Sequence, residues 1–283
     1  MNVGTPRPFE LNGRSFTSAI WKEPASGRRD VRGVNVEGDD QADREVHGGR
    51  DKAVYAYAVE DYVWWTRRLS YQPEPGTFGE NLTVRGLAVN DAMVGERWRI
   101  GSVVLQVTQP RMPCFKLGVR MEDASFPRAF AKAARWGAYF TILEPGDVGA
   151  GDPIEVVHRP DHGVSIALIG HIYHHAHDRA PELLAAPTLP EKWRAWVMKA
   201  SSRAEGERRL LQRRKVGIGP TEHDRDPLVA LGFVGSGHKC CHRRGGAVLD
   251  GETVGTPYEV AGFDDRSIGD EHAGEPFVRG GER

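Results

Sequence analysis

The sequence predicts a mainly β protein: a closed or partly closed β-barrel with a few helices, then a small all-α module and a disordered tail. Three observations lead there. Short apolar runs separated by clusters of Gly, Pro, Asp and Ser fill the first 160 residues. Past His162 the apolar spacing becomes helical. All seven Trp precede residue 200, whereas 15 of the 34 Gly follow it. The expected organisation is therefore a barrel over residues 1–160, a helical module over 161–200 and a Gly- and charge-rich tail over 201–283. In that tail too few apolar side chains are available to offset an ordering cost of about 1–2 kcal/mol per residue.

The elements follow in order. Phe16–Trp21 and Val31–Val36 read as strands around the turn cluster Pro24-Ala25-Ser26-Gly27. Val54–Ala58 is a further strand, and Val59–Leu69 has helical spacing. Asn81–Arg85 is strand-like, and Trp98–Val107 reads as a hairpin closed through Gly101-Ser102. Ser125–Trp136 is expected to be helical, with Ser125 as N-cap and Pro127 in the first turn. Ala138–Leu143 and Ile154–Val157 return to β structure. Val164–His177 and Pro181–Ala186 are helix candidates, and Thr188-Leu189-Pro190-Glu191 fits a capping box ahead of Trp193, Trp196 and Val197.

Composition narrows the function. A net charge of −1 supplies no global field for nucleic acid or a membrane surface. Three cysteines, two of them adjacent at Cys240 and Cys241, make no disulfide framework, so a reducing cytoplasm is the expected location. No segment has signal-peptide character or bilayer-spanning length. Neither a GxGxxG after a strand nor a P-loop is present, so any electrons must come from a partner.

The chemistry-bearing stretch is Gln109-Pro110-Arg111-Met112-Pro113-Cys114-Phe115-Lys116-Leu117, which holds the only cysteine in the first 239 residues. Its prolines fix φ and bias their predecessors toward extended geometry. Arg111 and Lys116 lie near the thiol in sequence, and a cationic setting favours the thiolate that attacks electrophiles or binds metal. A buried, inert cysteine is the alternative on these residues alone.

Four pieces in order carry a resemblance. They are Gly38-Asp39-Asp40-Gln41-Ala42-Asp43 with His47-Gly48-Gly49, the loop Gly76-Thr77-Phe78-Gly79-Glu80-Asn81-Leu82, the Gln109–Leu117 stretch, and Gly137-Ala138-Tyr139-Phe140 leading to Leu143-Glu144-Pro145-Gly146. Together they resemble the MOSC domain family and its bacterial YiiM-type group, and Val164–Ala200 resembles the three-helix module that follows the barrel there. The resemblance implies a β-barrel that binds the molybdenum cofactor (molybdopterin), with Cys114 as the protein ligand to molybdenum. It also implies a small-molecule substrate of the N-hydroxylated class, such as hydroxylaminopurines, and a separate electron-donor reductase as partner. The chain departs from the family pattern at Met112, often Ser, at Arg50, commonly Pro, and at Ala138, frequently Trp, which bears on pocket shape.

A pterin cofactor ending in phosphate needs an anion cradle. Arg111 offers a planar fork for it. Gly76 and Gly79 are candidates to expose amides in a nest, with Asn81 beside them, against the plain-turn alternative. His47 is a candidate proton donor or cofactor contact, or a structural imidazole. Lys22 and Lys52 are candidate anion contacts, with a solvated lysine as the default. Asp39, Asp40 and Asp43 lack EF-hand spacing and read as turn and cap residues. His171, His174 and His175 read as a polar helix face, and His238, Cys240, Cys241 and His242 lack the spaced pairs of a zinc site.

The function expected is a molybdenum-dependent reductase of N-hydroxylated compounds. A sulfur carrier using a Cys114 persulfide and a non-catalytic cofactor-binding module are the alternatives. Pyridoxal phosphate is not expected, because the cofactor sulfurases that share this domain carry it on a separate one.

Overall fold

The structure is a computed structural model and describes residues 1–42, 48–215 and 258–260. The chain opens with β1 (Asn2–Val3), the hairpin β2 (Arg7–Leu11) and β3 (Arg14–Ser18), then β4 (Glu23–Pro24). A second hairpin, β5 (Arg29–Arg32) and β6 (Asn35–Val36), precedes a 3-10 turn at Arg50–Lys52. Next come β7 (Val54–Ala58), α1 (Val59–Thr66), β8 (Leu82–Arg85), β9 (Arg97–Ile100) and β10 (Val103–Pro110). α2 (Phe115–Arg120) and α3 (Phe126–Ala133) lead into β11 (Ala138–Glu144), β12 (Gly146–Val148) and β13 (Pro153–His158). α4 (Ile166–His175), a 3-10 segment His177–Ala185, α5 (Glu191–Lys215) and β14 (Tyr258–Val260) complete the described chain.

Seven strands close a barrel in the order β10, β11, β7, β8, β14, β13, β9 and back to β10. All neighbours are antiparallel except β7 and β8, which α1 joins in a parallel pair. β7 is buried along its whole length, Val-Tyr-Ala-Tyr-Ala, because both of its faces are covered. Tyr57 packs on Phe78 and Phe130 at ring-centroid distances of 4.8 and 6.2 Å, while Trp65 of α1 lies 5.8 Å from Phe78. Each such buried ring stabilises the fold by roughly 1.5–3 kcal/mol. A second core joins the helical module to the barrel rim through Val94, Val164, Ile169, Ile172, Leu183, Leu189, Trp193 and Val197. α4 lies flat against Trp136: a Cβ at Gly170 would sit 2.2 Å from the indole Nε1.

The last helix runs to Lys215, past the boundary expected near residue 200. Within the segment expected to be mostly disordered, Tyr258–Val260 pairs between β8 and β13; the remainder, with His238, Cys240, Cys241 and His242, lies outside the described residues. Ser125 precedes α3, but its hydroxyl bonds Asp123 Oδ1 at 2.7 Å and caps nothing, so Pro127 in the first turn carries the start signal. Among the described residues no helix is long and apolar enough to cross a membrane.

Candidate functional site

β3, β7, β8, β10 and β11 end around one open cleft with a cavity volume of about 90 Å³. Its lining includes Ser18, Ile20, Lys22, Asp39, Lys52, Tyr55, Gly79, Asn81, Arg111, Cys114, Lys116 and Tyr139. Of the residues singled out from the sequence, Cys114, Arg111, Asn81, Gly79, Lys22 and Lys52 thus meet in one place. His47 lies outside the described residues.

Cys114 is half-buried and stands in extended backbone (φ −133°, ψ 173°) immediately before α2. Pro110 ends β10 by pairing with Ala138, and Pro113 then keeps the chain extended, so the thiol leaves the barrel rim toward the cleft. Arg111 is 6% exposed, with its guanidinium 5.6 Å from the Tyr55 ring and 5.8 Å from Phe130. Burial works against its charge, yet its pKa is raised, with Tyr55, Tyr139 and Cys114 opposing the burial. Its Nη1 is buried and has no hydrogen-bond partner. An orphaned cationic donor on a cleft wall is costly unless an anion completes it.

Lys22 is buried against Asp39, which it contacts directly, and burial lowers its pKa while Asp39 opposes the shift. Asp39 is a brace and no metal ligand: Oδ1 accepts from the Gly4 amide at 2.8 Å, and Oδ2 accepts from Asn81 Nδ2 at 2.9 Å. Lys52 sits 5.8 Å from the Tyr139 ring, and Tyr139 lies 4.9 Å from Tyr55. Burial pushes both tyrosines up, so they are neutral near neutral pH, and the Tyr55 hydroxyl donates to the Trp136 carbonyl at 2.8 Å. Among the described residues the cleft thus gathers Lys22, Lys52, Arg111 and Lys116 against Asp39 and Asp40.

The glycine loop works differently from the nest expected for it. The Gly76 amide donates to Glu80 Oε1 at 2.6 Å and the Gly79 amide to the Gly76 carbonyl at 2.9 Å, so both are committed within the loop. Asn81 is equally committed, accepting from the Tyr55 amide at 3.1 Å and donating to Asp39 and the Asn2 carbonyl. Glu80, fully buried, organises this loop by also accepting from Tyr62 and Thr83 at 2.6 and 2.9 Å. Burial raises its carboxyl pKa. Gly79 is still required: its φ is +79°, and a Cβ there would stand 3.1 Å from Ile20 Cγ1 and 3.9 Å from Arg111 Nη2.

Gln41 and Gln109 were not singled out from the sequence, yet they fix the opposite wall. Gln41 accepts from the Gly49 amide at 2.8 Å and donates to the Lys52 carbonyl at 3.2 Å. Gln109 donates to the Asp51 carbonyl at 3.2 Å and accepts from the Trp193 indole at 2.9 Å, tying α5 to the cleft. Met112 packs against the core that joins the helical module to the barrel rim and is not among the residues lining the cleft. The α4 histidines are not a simple polar face: His174 is half-buried and stacks parallel to Trp136 at 5.0 Å. Among the described residues no group of three or more His, Cys, Asp or Glu is placed to hold a metal by itself. A ligand set of one thiolate beside a cationic, orphan-donor wall instead fits a metal that arrives within an anionic organic cofactor.

Comparison with known proteins agrees with this geometry. The family model described as MOSC domain matches residues 43–155. The uncharacterized protein YflK of Bacillus subtilis is 36% identical over 206 residues, 72% of this chain and 93% of its own. A protein of Gibberella moniliformis described as a reductase is 34% identical over 157 residues, 52% of this chain and 27% of its own length. The crystal structure of YiiM from Geobacillus stearothermophilus is 32% identical with a TM-score of 0.59, covering 71% of this chain and 96% of that one.

Proposed function

Because this chain belongs to the MOSC domain family and to its YiiM-type group, we propose that it is an oxidoreductase that holds the molybdenum cofactor in the Cys114 cleft and reduces N-hydroxylated compounds. The observation that carries this reading is the pairing of a half-buried thiol with a buried guanidinium whose Nη1 lacks a partner, on one wall of one cleft. Cys114 ligates the metal as a thiolate. Arg111, with Lys22 and Lys52, receives the anionic end of the cofactor, Arg111 through the donor that the protein leaves open. Gly79 keeps the wall flat beside Arg111, and Asn81 and Asp39 hold Lys22 and the Gly76–Leu82 loop in place.

The bound cofactor supplies two-electron redox chemistry, and the chain supplies ligation, orientation and proton-bearing groups. The overall change is R–NHOH + 2e⁻ + 2H⁺ → R–NH2 + H2O: the N–O bond breaks, nitrogen is reduced and water leaves. A separate reductase provides the electrons and is itself oxidised. Tyr139, held neutral by burial, lines the cleft and is able to steady an oxygen or a pterin edge, while Tyr55 gives its hydroxyl proton to the Trp136 carbonyl and backs that wall.

Metal analysis tests the reading. Wild-type protein from cofactor-replete cells is expected to carry molybdenum, and a Cys114→Ser variant to lose most of it while keeping its melting temperature. Equal molybdenum in both proteins, or none in the wild type, refutes the ligand assignment. A persulfide on metal-free wild type would point instead to sulfur carriage.

A further inference from the structure

Just outside the residues that line the cleft, next in sequence to Ile20 and Cys114, stands a group of aromatic rings that the cofactor reading does not use. β2 and β3 pair only with each other and stand apart from the barrel sheet. Their cross-strand partners Arg7 and Ser18, Phe9 and Phe16, Leu11 and Arg14 share one face. Pro8, Glu10, Ser15 and Thr17, on the other face, are exposed. Ser18 lines the cleft. Phe16 lies two residues toward the hairpin tip on that same face, so it continues the cleft wall outward by about 7 Å.

Phe115 meets it from the other side. It follows Cys114 in the chain, and its ring lies 5.0 Å from Phe16 at a 60° tilt and 6.4 Å from Phe9. Phe9 is backed by Trp21 at 5.6 Å. Phe9, Phe16 and Trp21 are only half-buried, and Phe115 is 41% exposed. The rings are therefore packed on one another while keeping surface open, Phe115 one residue along the chain from the thiol. Fixed rings lose little conformational freedom on binding, and an open π-face favours a flat partner in offset-stacked or edge-on contact.

We propose that Phe16 and Phe115 form an aromatic wall against which a planar heteroaromatic N-hydroxylated substrate lies while its N–OH group reaches the Cys114 side of the cleft. The proposal rests on the reductase reading and adds the residues that select a flat ring over an aliphatic chain. Phe9 and Trp21 position these two rings without touching substrate.

Steady-state kinetics on holoprotein from cofactor-replete cells, with reduced methyl viologen as donor, test it without a protein partner. The substrates are 6-N-hydroxylaminopurine and N-methylhydroxylamine, compared for wild type, Phe115→Leu, Phe16→Leu and Phe115→Trp. Either leucine variant is expected to raise KM for the purine about 10-fold and to change kcat less than about twofold, with the aliphatic compound unaffected and Phe115→Trp near wild type. An unchanged purine KM, or equal losses on both substrates, overturns the wall. If wild type reduces neither compound, the reductase reading fails separately. Calorimetric binding of adenine then decides the wall: weakening of about 10-fold in Phe115→Leu supports it, and equal affinity overturns it.

Discussion

Trp193→Phe is the substitution that best tests whether the helical module shapes the cleft. The indole of Trp193 is 5% exposed and donates at 2.9 Å to Gln109 Oε1, which is itself 8% exposed. Phenylalanine fits the same space but leaves that acceptor buried without a donor, at a cost of about 1–3 kcal/mol. For a chain of this size a loss of about 2 kcal/mol lowers the melting temperature by roughly 4–8 °C. Gln109→Leu removes the acceptor, so Trp193→Phe in that background is expected to cost only lost ring contacts. The double-mutant cycle should then return a coupling of about 1–2 kcal/mol. Urea unfolding followed by far-UV circular dichroism avoids the confounding loss of a fluorophore. Additivity within about 0.5 kcal/mol refutes the bond as a coupled pair. The same variant should retain less molybdenum per chain, because Gln109 also holds the Asp51 carbonyl beside Lys52. A variant that is destabilised yet fully loaded would separate the brace from the cleft.

Two further outcomes follow from contacts far from the thiol. A chain ending at Lys215 lacks β14 and leaves β8 and β13 without their shared neighbour. At about 1 kcal/mol net per lost backbone bond its melting temperature should fall by several degrees, and an unchanged value would show that the seam contributes nothing. Arg28 clasps Asp147 and Asp152 at 2.6 and 2.9 Å, and this holds the Asp147 carboxyl down to about 2. A depressed carboxylate contributes stability above its unfolded pKa of about 3.8 and loses it as pH falls toward 2. The urea midpoint of wild type should therefore approach that of Asp147→Asn across this window, and a gap that is constant with pH would exclude the clasp. The clasp is exposed, so the gap should also narrow in high salt.

The barrel was legible where the chain alternates or runs continuously apolar. Val54–Ala58 and the β9–β10 hairpin emerge near their expected bounds because short β-branched and aromatic runs between turn residues admit few other solutions. β2 was not legible, since Arg-Pro-Phe-Glu-Leu offers one aromatic per turn of pleat and only its pairing with β3 reveals the shared face. The thiol and Arg111 stood out because a lone cysteine among prolines and cations is chemically unusual. The roles of Gly79 and Asn81 could not be read, because a glycine that bares its amide and one that merely bends share the same letters. Only the hydrogen bonds separate them. Tyr55 and Tyr139 passed unnoticed for a related reason: they sit on strands that pair with each other, and a sequence does not display that register.

The position of β14 has a consequence for how the protein reaches its native state. Arg85 pairs with Glu259, which in turn pairs with Pro153, so the ring of strands is joined across some of the largest separations the chain offers. Contacts this non-local form slowly, because the intervening loop must be closed before any pairing energy returns. Until Tyr258–Val260 arrives, β8 and β13 present open edges, the feature through which partly folded β proteins find one another. Closure is thus expected to be a late step in folding, and aggregation during refolding should track how quickly that short strand docks.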